Sequence, residues 1–168
     1  VWSEFEERVA FLQQIGYLDE DRKFNAGARA LAHLQIAEVL VAELVLSGVF
    51  EGLDGPTWFG VLCGLVSEFP RAADLMLRPS KEDRRLAQDI GRIAGSEVVR
   101  EAERISRVPV IWGPEWIAVG RAWALGSKFD AISAMVASPT DVAGDIVGTF
   151  RRAKDLAGQL RDVYKSQP

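Results

Sequence analysis

The sequence predicts an all-α domain: a helical bundle of about six to seven helices closed by a long C-terminal amphipathic helix. Three observations carry this. Apolar residues recur at offsets of three and four along most of the chain, and no alternating apolar and polar stretch of comparable length competes with them. Glycine and proline punctuate the periodic segments where helices should stop and start. The length of 168 residues, with 48% hydrophobic and 26% charged residues, is that of one globular domain and excludes a disordered chain.

In chain order, Phe5, Val9, Leu12 and Ile15 share one face of an opening helix that Gly16 ends. An acidic turn, Asp19-Glu20-Asp21, follows. From about Ala28 to Ser47 the positions Leu31, Leu34, Val41, Leu44 and Val45 keep helical spacing, with Gly48 as the C-terminal stop. Asp54-Gly55-Pro56 joins a capping residue to a proline tolerated in a first turn, so a short helix should run to Glu68 before Pro70 breaks it. Its two glycines, Gly60 and Gly64, are four apart and clear one stripe for the close approach of another backbone or, alternatively, for a ligand path.

Ser80 with Asp83 resembles a capping box, and Leu86, Ile90, Ile93, Val98, Ala102 and Ile105 then predict one long helix. Val108-Pro109-Val110-Ile111 reads as an extended link, and Gly113-Pro114 restarts the chain. Trp116, Val119 and Trp123 read as core, with Trp112 stapled onto Trp116. Gly126 ends that helix, and a short one with Phe129, Ile132 and Met135 leads to Ser138-Pro139-Thr140. The last helix starts near Asp141, and Val142, Ile146, Phe150, Ala153, Leu156, Leu160 and Val163 hold one apolar face for more than five turns.

The net charge of −4 argues against a free-standing, tight nucleic-acid binder, because such affinity rests on many basic contacts to phosphate. The charge is uneven. Residues 1–50 hold eight acids against four bases, whereas from Asp141 onward five bases face four acids, so contact with an anion is expected at the C-terminal end. Cys63 is the single cysteine, set in an apolar run, which excludes an intrachain disulfide. Val1 is followed by charged residues rather than a signal sequence, and Glu38 and Glu43 interrupt the one apolar run, Ile36 to Phe50, that could be considered for a membrane. The expectation is a cytoplasmic protein without a membrane partner.

No phosphate-binding loop is present: Gly126-Ser127-Lys128 has the wrong order and lacks the earlier glycine. ATP turnover on this chain is not expected, and no Glu-x-x-His pair suggests a metal. His33 reads as structural, and the acidic turn as solvated. A helix-turn-helix built from the last two helices would begin its second helix with Asp141, Ala143, Gly144 and Asp145, which are poor partners for phosphate or guanine. Arg151 and Arg152 come too late for that geometry and, by themselves, read as a solvated basic edge.

Three stretches together resemble the C-terminal helical domain, called DSHCT, of the DExH-box RNA helicases that serve as exosome cofactors and of their bacterial relatives. They are Ile15 to Asp21 with Arg29-Ala30-Leu31; Glu38 to Phe50; and Trp123, Gly126 and Phe129 with Thr140-Asp141, Gly144 to Val147 and Thr149-Phe150-Arg151-Arg152. The similarity spans nearly the whole chain in order.

The resemblance implies one accessory domain over residues 1–168, part of a larger ATP-dependent RNA helicase whose ATPase lobes bind ATP and Mg. It implies packing on those lobes, contact with single-stranded RNA, and the RNA-degradation machinery as a further partner. No cofactor and no catalytic residue is expected on this chain. By motif position the helix from Pro56 to Glu68 is similar to the family's ratchet helix, with Glu68 near its acidic residue, while Arg152 matches an arginine that contacts RNA and Arg151 precedes it. Three departures stand out: Gly148 replaces a basic residue common before Thr-Phe-Arg-Arg, Gly27-Ala28-Arg29 replaces Lys-Gly-Arg, and Pro70 after Phe69 is expected to shift the end of the ratchet-like helix near Glu68. The rival expectation is a purely structural or protein-binding bundle that braces the helicase core, with Glu68 and Arg152 on separate faces.

Overall fold

The computed structural model describes residues 2–14, 38–106 and 109–165. Among these lie eight helices: α1 (Trp2–Gln14), α2 (Glu38–Leu46), α3 (Gly55–Val66), α4 (Lys81–Ala94), α5 (Glu97–Ser106), α6 (Trp116–Ala124), α7 (Phe129–Ser133) and α8 (Ala143–Lys165). Two short strands, β1 (Asp74–Leu75) and β2 (Val136–Ala137), pair antiparallel with Asp74 opposite Ala137. The all-α prediction therefore holds, with this ribbon the one strand pairing among the described residues. His33 and the acidic turn at 19–21 lie outside them, as does the N-terminal part of the helix expected from Ala28.

Helix α3 is the axis of the domain. The Asp54 side chain accepts from the Thr57 N–H at 2.7 Å, and Pro56 sits in the first turn where its missing donor costs nothing. Every residue from Gly60 to Val66 is buried. It packs most extensively on α6, then on α8. Along the α6 seam a Cβ placed on Gly60 would lie 2.3 Å from the Ile117 carbonyl oxygen, and one on Gly120 would lie 2.8 Å from the Gly60 Cα. One turn on, the Gly113 N–H donates to the Gly64 carbonyl at 2.8 Å, a backbone bond between two elements. The four-spaced glycines thus serve close backbone packing, the first of the two alternatives their spacing left open.

Helix α8 closes the other side of α3, burying Ile146, Phe150, Ala153, Leu156 and Leu160. Each large side chain among them contributes about 1.5–3 kcal/mol by leaving water. Gly48 and Gly126 adopt the left-handed backbone, φ of 73° and 87°, that ends α2 and α6 as their positions predicted.

Five expectations need correction. The helix expected across 80–105 is split, because Gly95 stops α4 and the Ser96 hydroxyl accepts from the Val99 N–H to start α5. Helix α3 ends at Val66 rather than Glu68: Ser67 is extended (φ −148°, ψ 135°), and Phe69 precedes a proline, which disfavours helix there. Trp116 is 1% exposed but Trp123 is 42% exposed, so the second ring is not core. Trp112 lies against Gly64 and donates its Nε1–H to the Ala87 carbonyl at 3.3 Å, tying α4 to the α6 approach, while Trp116 pairs edge-on with Phe69. On α1 it is Phe11 that is buried, whereas Phe5 of the expected face is half exposed.

Candidate nucleic-acid interface

Where α3 ends, the chain opens a solvent-facing depression of about 440 Å³ lined by Ser67, Glu68, Phe69, Arg71, Asp145 and Arg152 among others. The local reason is the early stop of α3. An extended Ser67 turns the following residues outward, and Glu68 leaves the buried run to stand exposed at the rim. On the facing wall, Asp145, Thr149 and Arg152 follow offsets of four and three along one side of α8.

The two walls are bonded through one hydroxyl. Ser67 Oγ accepts from Arg152 Nη2 at 2.6 Å and from Thr149 Oγ1 at 2.8 Å. Ser67 and Thr149 are buried, at 7% and 1% exposure, while Arg152 is exposed beyond them. The guanidinium also folds back over Gly148, where an added Cβ would lie 3.3 Å from Arg152 Nη1. Glycine at 148 therefore makes room for the Arg152 side chain to lie down.

Glu68 and Arg152 thus share one open face, which the purely structural alternative did not expect. Arg151 does not line it: successive helix residues point about 100° apart, and Arg151 is turned to solvent on another side of α8. Arg71 and Asp145 complete the charged set. Two carboxylates beside two guanidinia leave no net charge in the depression, so it suits a neutral group rich in donors and acceptors better than a bare polyanion. A guanidinium can bind a phosphate in a bidentate manner or stack on a base plane, and a carboxylate can accept from a base amino group. Among the described residues neither Glu68 nor Arg152 is held in an ion pair.

A second polar cluster is structural. Arg121 donates Nε to Thr57 Oγ1 at 3.0 Å and grips Asp83 with both terminal nitrogens, Nη1 to Oδ2 at 3.0 Å. That hydrogen bond, with the cationic charge and the Ser80 cap, holds the Asp83 carboxyl below its usual range against the opposing effect of burial. The pair locks α4 onto the first turn of α3 and α6. Cys63 lies fully buried, and burial pushes its thiol up to about 12, so it carries no thiolate chemistry. Among the described residues no group of three or more His, Cys, Asp or Glu could hold a metal, and no helix is long and apolar enough to cross a membrane.

Of the residues lining the depression, Glu68 and Arg152 were named from the sequence, whereas Ser67 and Thr149 were not: their link to one another spans 82 residues and left no local signal. Asp145 could have been added from its offset of seven to Arg152.

Fold and site together define an all-α domain with an open, mixed-charge depression at the end of a glycine-packed helix pair. The model of the DSHCT (NUC185) domain family matches residues 21–168. The chain belongs to the DSHCT family, a family of helicase C-terminal domains. Among curated proteins no match was found.

Proposed function

We propose that the chain is an RNA-guiding accessory domain of an ATP-dependent RNA helicase, packed on ATPase lobes that do the chemistry and contacting single-stranded RNA at the end of α3. The observation that carries this is the shared depression, which Glu68 and Arg152 both line, with the Arg152 guanidinium tied to Ser67, the chain neighbour of Glu68. In this reading Arg152 holds a phosphate or a base plane, and Glu68 accepts from the amino edge of a neighbouring base. A ratchet-like role follows if the strand advances past this fixed pair. ATP and Mg belong to the parent's ATPase lobes, and RNA-degradation machinery is the expected downstream partner.

The test is RNA binding and unwinding by the intact parent helicase carrying Arg152→Ala. Loss of unwinding with ATPase activity retained supports the reading; unchanged RNA binding and unwinding would remove Arg152, and the depression with it, from the mechanism. A bracing role is favoured by a separate observation. Trp123, Leu125 and Phe129 are 42%, 68% and 40% exposed around the α6–α7 turn, an apolar group suited to packing on the lobes. Replacement of Leu125 by Asp should then weaken docking of the domain and leave the depression intact.

A further inference from the structure

A stripe of positive charge lies away from the depression, on α4. Lys81, Arg84, Arg85, Gln88 and Arg92 follow offsets of three, four, seven and eleven, which place them on one helical face, and all five are exposed. Arg78, just before the helix, is exposed too. The opposite face carries Leu86, Ala87, Ile90 and Ile93 into the core.

The acids of α4 do not cancel this stripe. Asp83 is turned inward and committed to Arg121, Asp89 neutralises Arg92 alone at 2.7 Å, and Glu82 stands on the flank. Arg84 Nη1 donates to the Pro79 carbonyl at 3.2 Å, which orders the side chain and leaves its charge. Among the described residues Arg78, Lys81 and Arg85 take part in no ion pair. In a chain of net charge −4 this is a local excess, not a by-product of a basic protein.

We propose that the outward face of α4 is a second nucleic-acid surface, which holds the phosphodiester backbone of single-stranded RNA through Arg78, Lys81, Arg84 and Arg85. The choice of RNA as the polyanion rests on the function proposed above; the surface itself does not. A face about 16 Å long with a cation on nearly every turn suits a linear polymer of regularly spaced charges. A protein partner would want an apolar centre, and no large exposed hydrophobic residue lies within α4. Met76 and Leu77, both exposed, precede the stripe and lie outside it. A membrane-surface helix would turn its apolar face to lipid, but here that face is used by the core.

The experiment measures fluorescence anisotropy of a uridine-only single-stranded RNA with the full 168-residue chain across a KCl series. The stripe variant carries Lys81→Gln, Arg84→Gln and Arg85→Gln, which preserve helix propensity. A control carries Lys128→Gln, Arg161→Gln and Lys165→Gln, the same change in net charge on other exposed positions. The stripe variant should lose about tenfold or more in affinity at low salt, and its slope of log affinity against log salt should flatten by about two, each single-strand phosphate contact being worth roughly 0.7. The control should lose no more than about twofold.

No RNA binding by the wild-type chain at low salt, an unaffected stripe variant, or an equal loss in the control overturns the proposal. So does displacement of RNA by polyglutamate of equal charge, which points to an acidic protein, or preferential binding to phosphatidylserine vesicles. The two sites separate cleanly. Loss in Arg152→Ala with a silent stripe variant defeats the stripe alone, and the converse defeats the depression alone.

Discussion

Replacement of Gly60 by alanine puts the central seam to a direct test. The new methyl would sit 2.3 Å from the Ile117 carbonyl oxygen and 2.9 Å from its Cα, both backbone atoms that no rotamer change can move. To reach ordinary contact α3 and α6 must part by roughly 1 Å, a gap that forfeits about half of the dispersion well for each atom pair along the seam. The Gly113 to Gly64 backbone bond at 2.8 Å would stretch with it, and a hydrogen bond of that kind is worth about 1 kcal/mol net. Overpacking of this type costs about 1–3 kcal/mol and occasionally more, while alanine returns up to about 1 kcal/mol of helix propensity. With no flexible side chain to absorb the clash, a net loss of about 2–4 kcal/mol is expected, or a fall in Tm of about 5–15 °C for a chain of this size.

Gly158→Ala is the matched control. It lies inside α8, where an added Cβ would meet nothing within 4 Å, so the same chemical change should stabilise by about 0.5–1 kcal/mol. Thermal and urea unfolding followed by far-UV circular dichroism read both variants against wild type. Equal stability of Gly60→Ala and Gly158→Ala would refute the claim that backbone contact holds α3 to α6.

Further outcomes follow from the polar links. Asp83→Asn should cost about 2–4 kcal/mol at neutral pH, because it leaves Arg121 half-buried without its counter-charge. The Asp83 carboxyl is depressed in the folded state, so its contribution is complete above the ordinary value of 3.8 and fades as pH falls through the lower folded value. The gap between wild type and Asp83→Asn should therefore begin to narrow as pH falls below about 3.8 and close only below the lower folded value, and a gap that does not narrow in acid counts against the pair as its source. Ser67→Ala strips a shared acceptor from Thr149 and Arg152, with an expected loss of about 1–2 kcal/mol by urea unfolding; Ser67→Thr, compatible with the extended backbone there, should restore most of it. Cys63 should resist alkylation at pH 8 until the domain unfolds, so labelling rates should track denaturant midpoints; fast labelling of the native chain would contradict its burial.

What the sequence made legible was whatever depended on neighbours three or four residues away. The Asp54 and Ser80 caps, the Gly48 and Gly126 stops, the apolar face of α8 and the glycine stripe of α3 are all of that kind. The links that join elements were not legible: Arg121 to Asp83 crosses 38 residues, Arg121 to Thr57 crosses 64, and Arg152 to Ser67 crosses 85. Trp123 shows a subtler limit. It lies two turns from Trp116 on nearly the same face, but α6 ends soon after it, and the second ring, stacked against Phe59 and Phe150, is left 42% exposed. The stripe on α4 was present in the spacing, but the segment charge counts covered only residues 1–50 and the stretch from Asp141, and within 81–92 Glu82, Asp83 and Asp89 interleave with the bases in sequence and separate from them only on the helix.

The seam also constrains how the domain could act on a strand. Glycine-to-backbone contacts and the Gly113 to Gly64 bond fix α3 to α6, Arg121 fixes both to α4, and Ser67 fixes the end of α3 to α8. Close-packed interfaces of this kind switch between discrete arrangements or stay put; they do not slide continuously. Glu68 therefore has no freedom to step along RNA by motion of α3 within the bundle. If the depression grips bases, the stroke must come from rigid-body movement of the whole domain relative to whatever carries the ATPase lobes. Under the two proposals together, such a rigid body would hold backbone contacts on α4 at a fixed distance from base contacts at the depression throughout that movement.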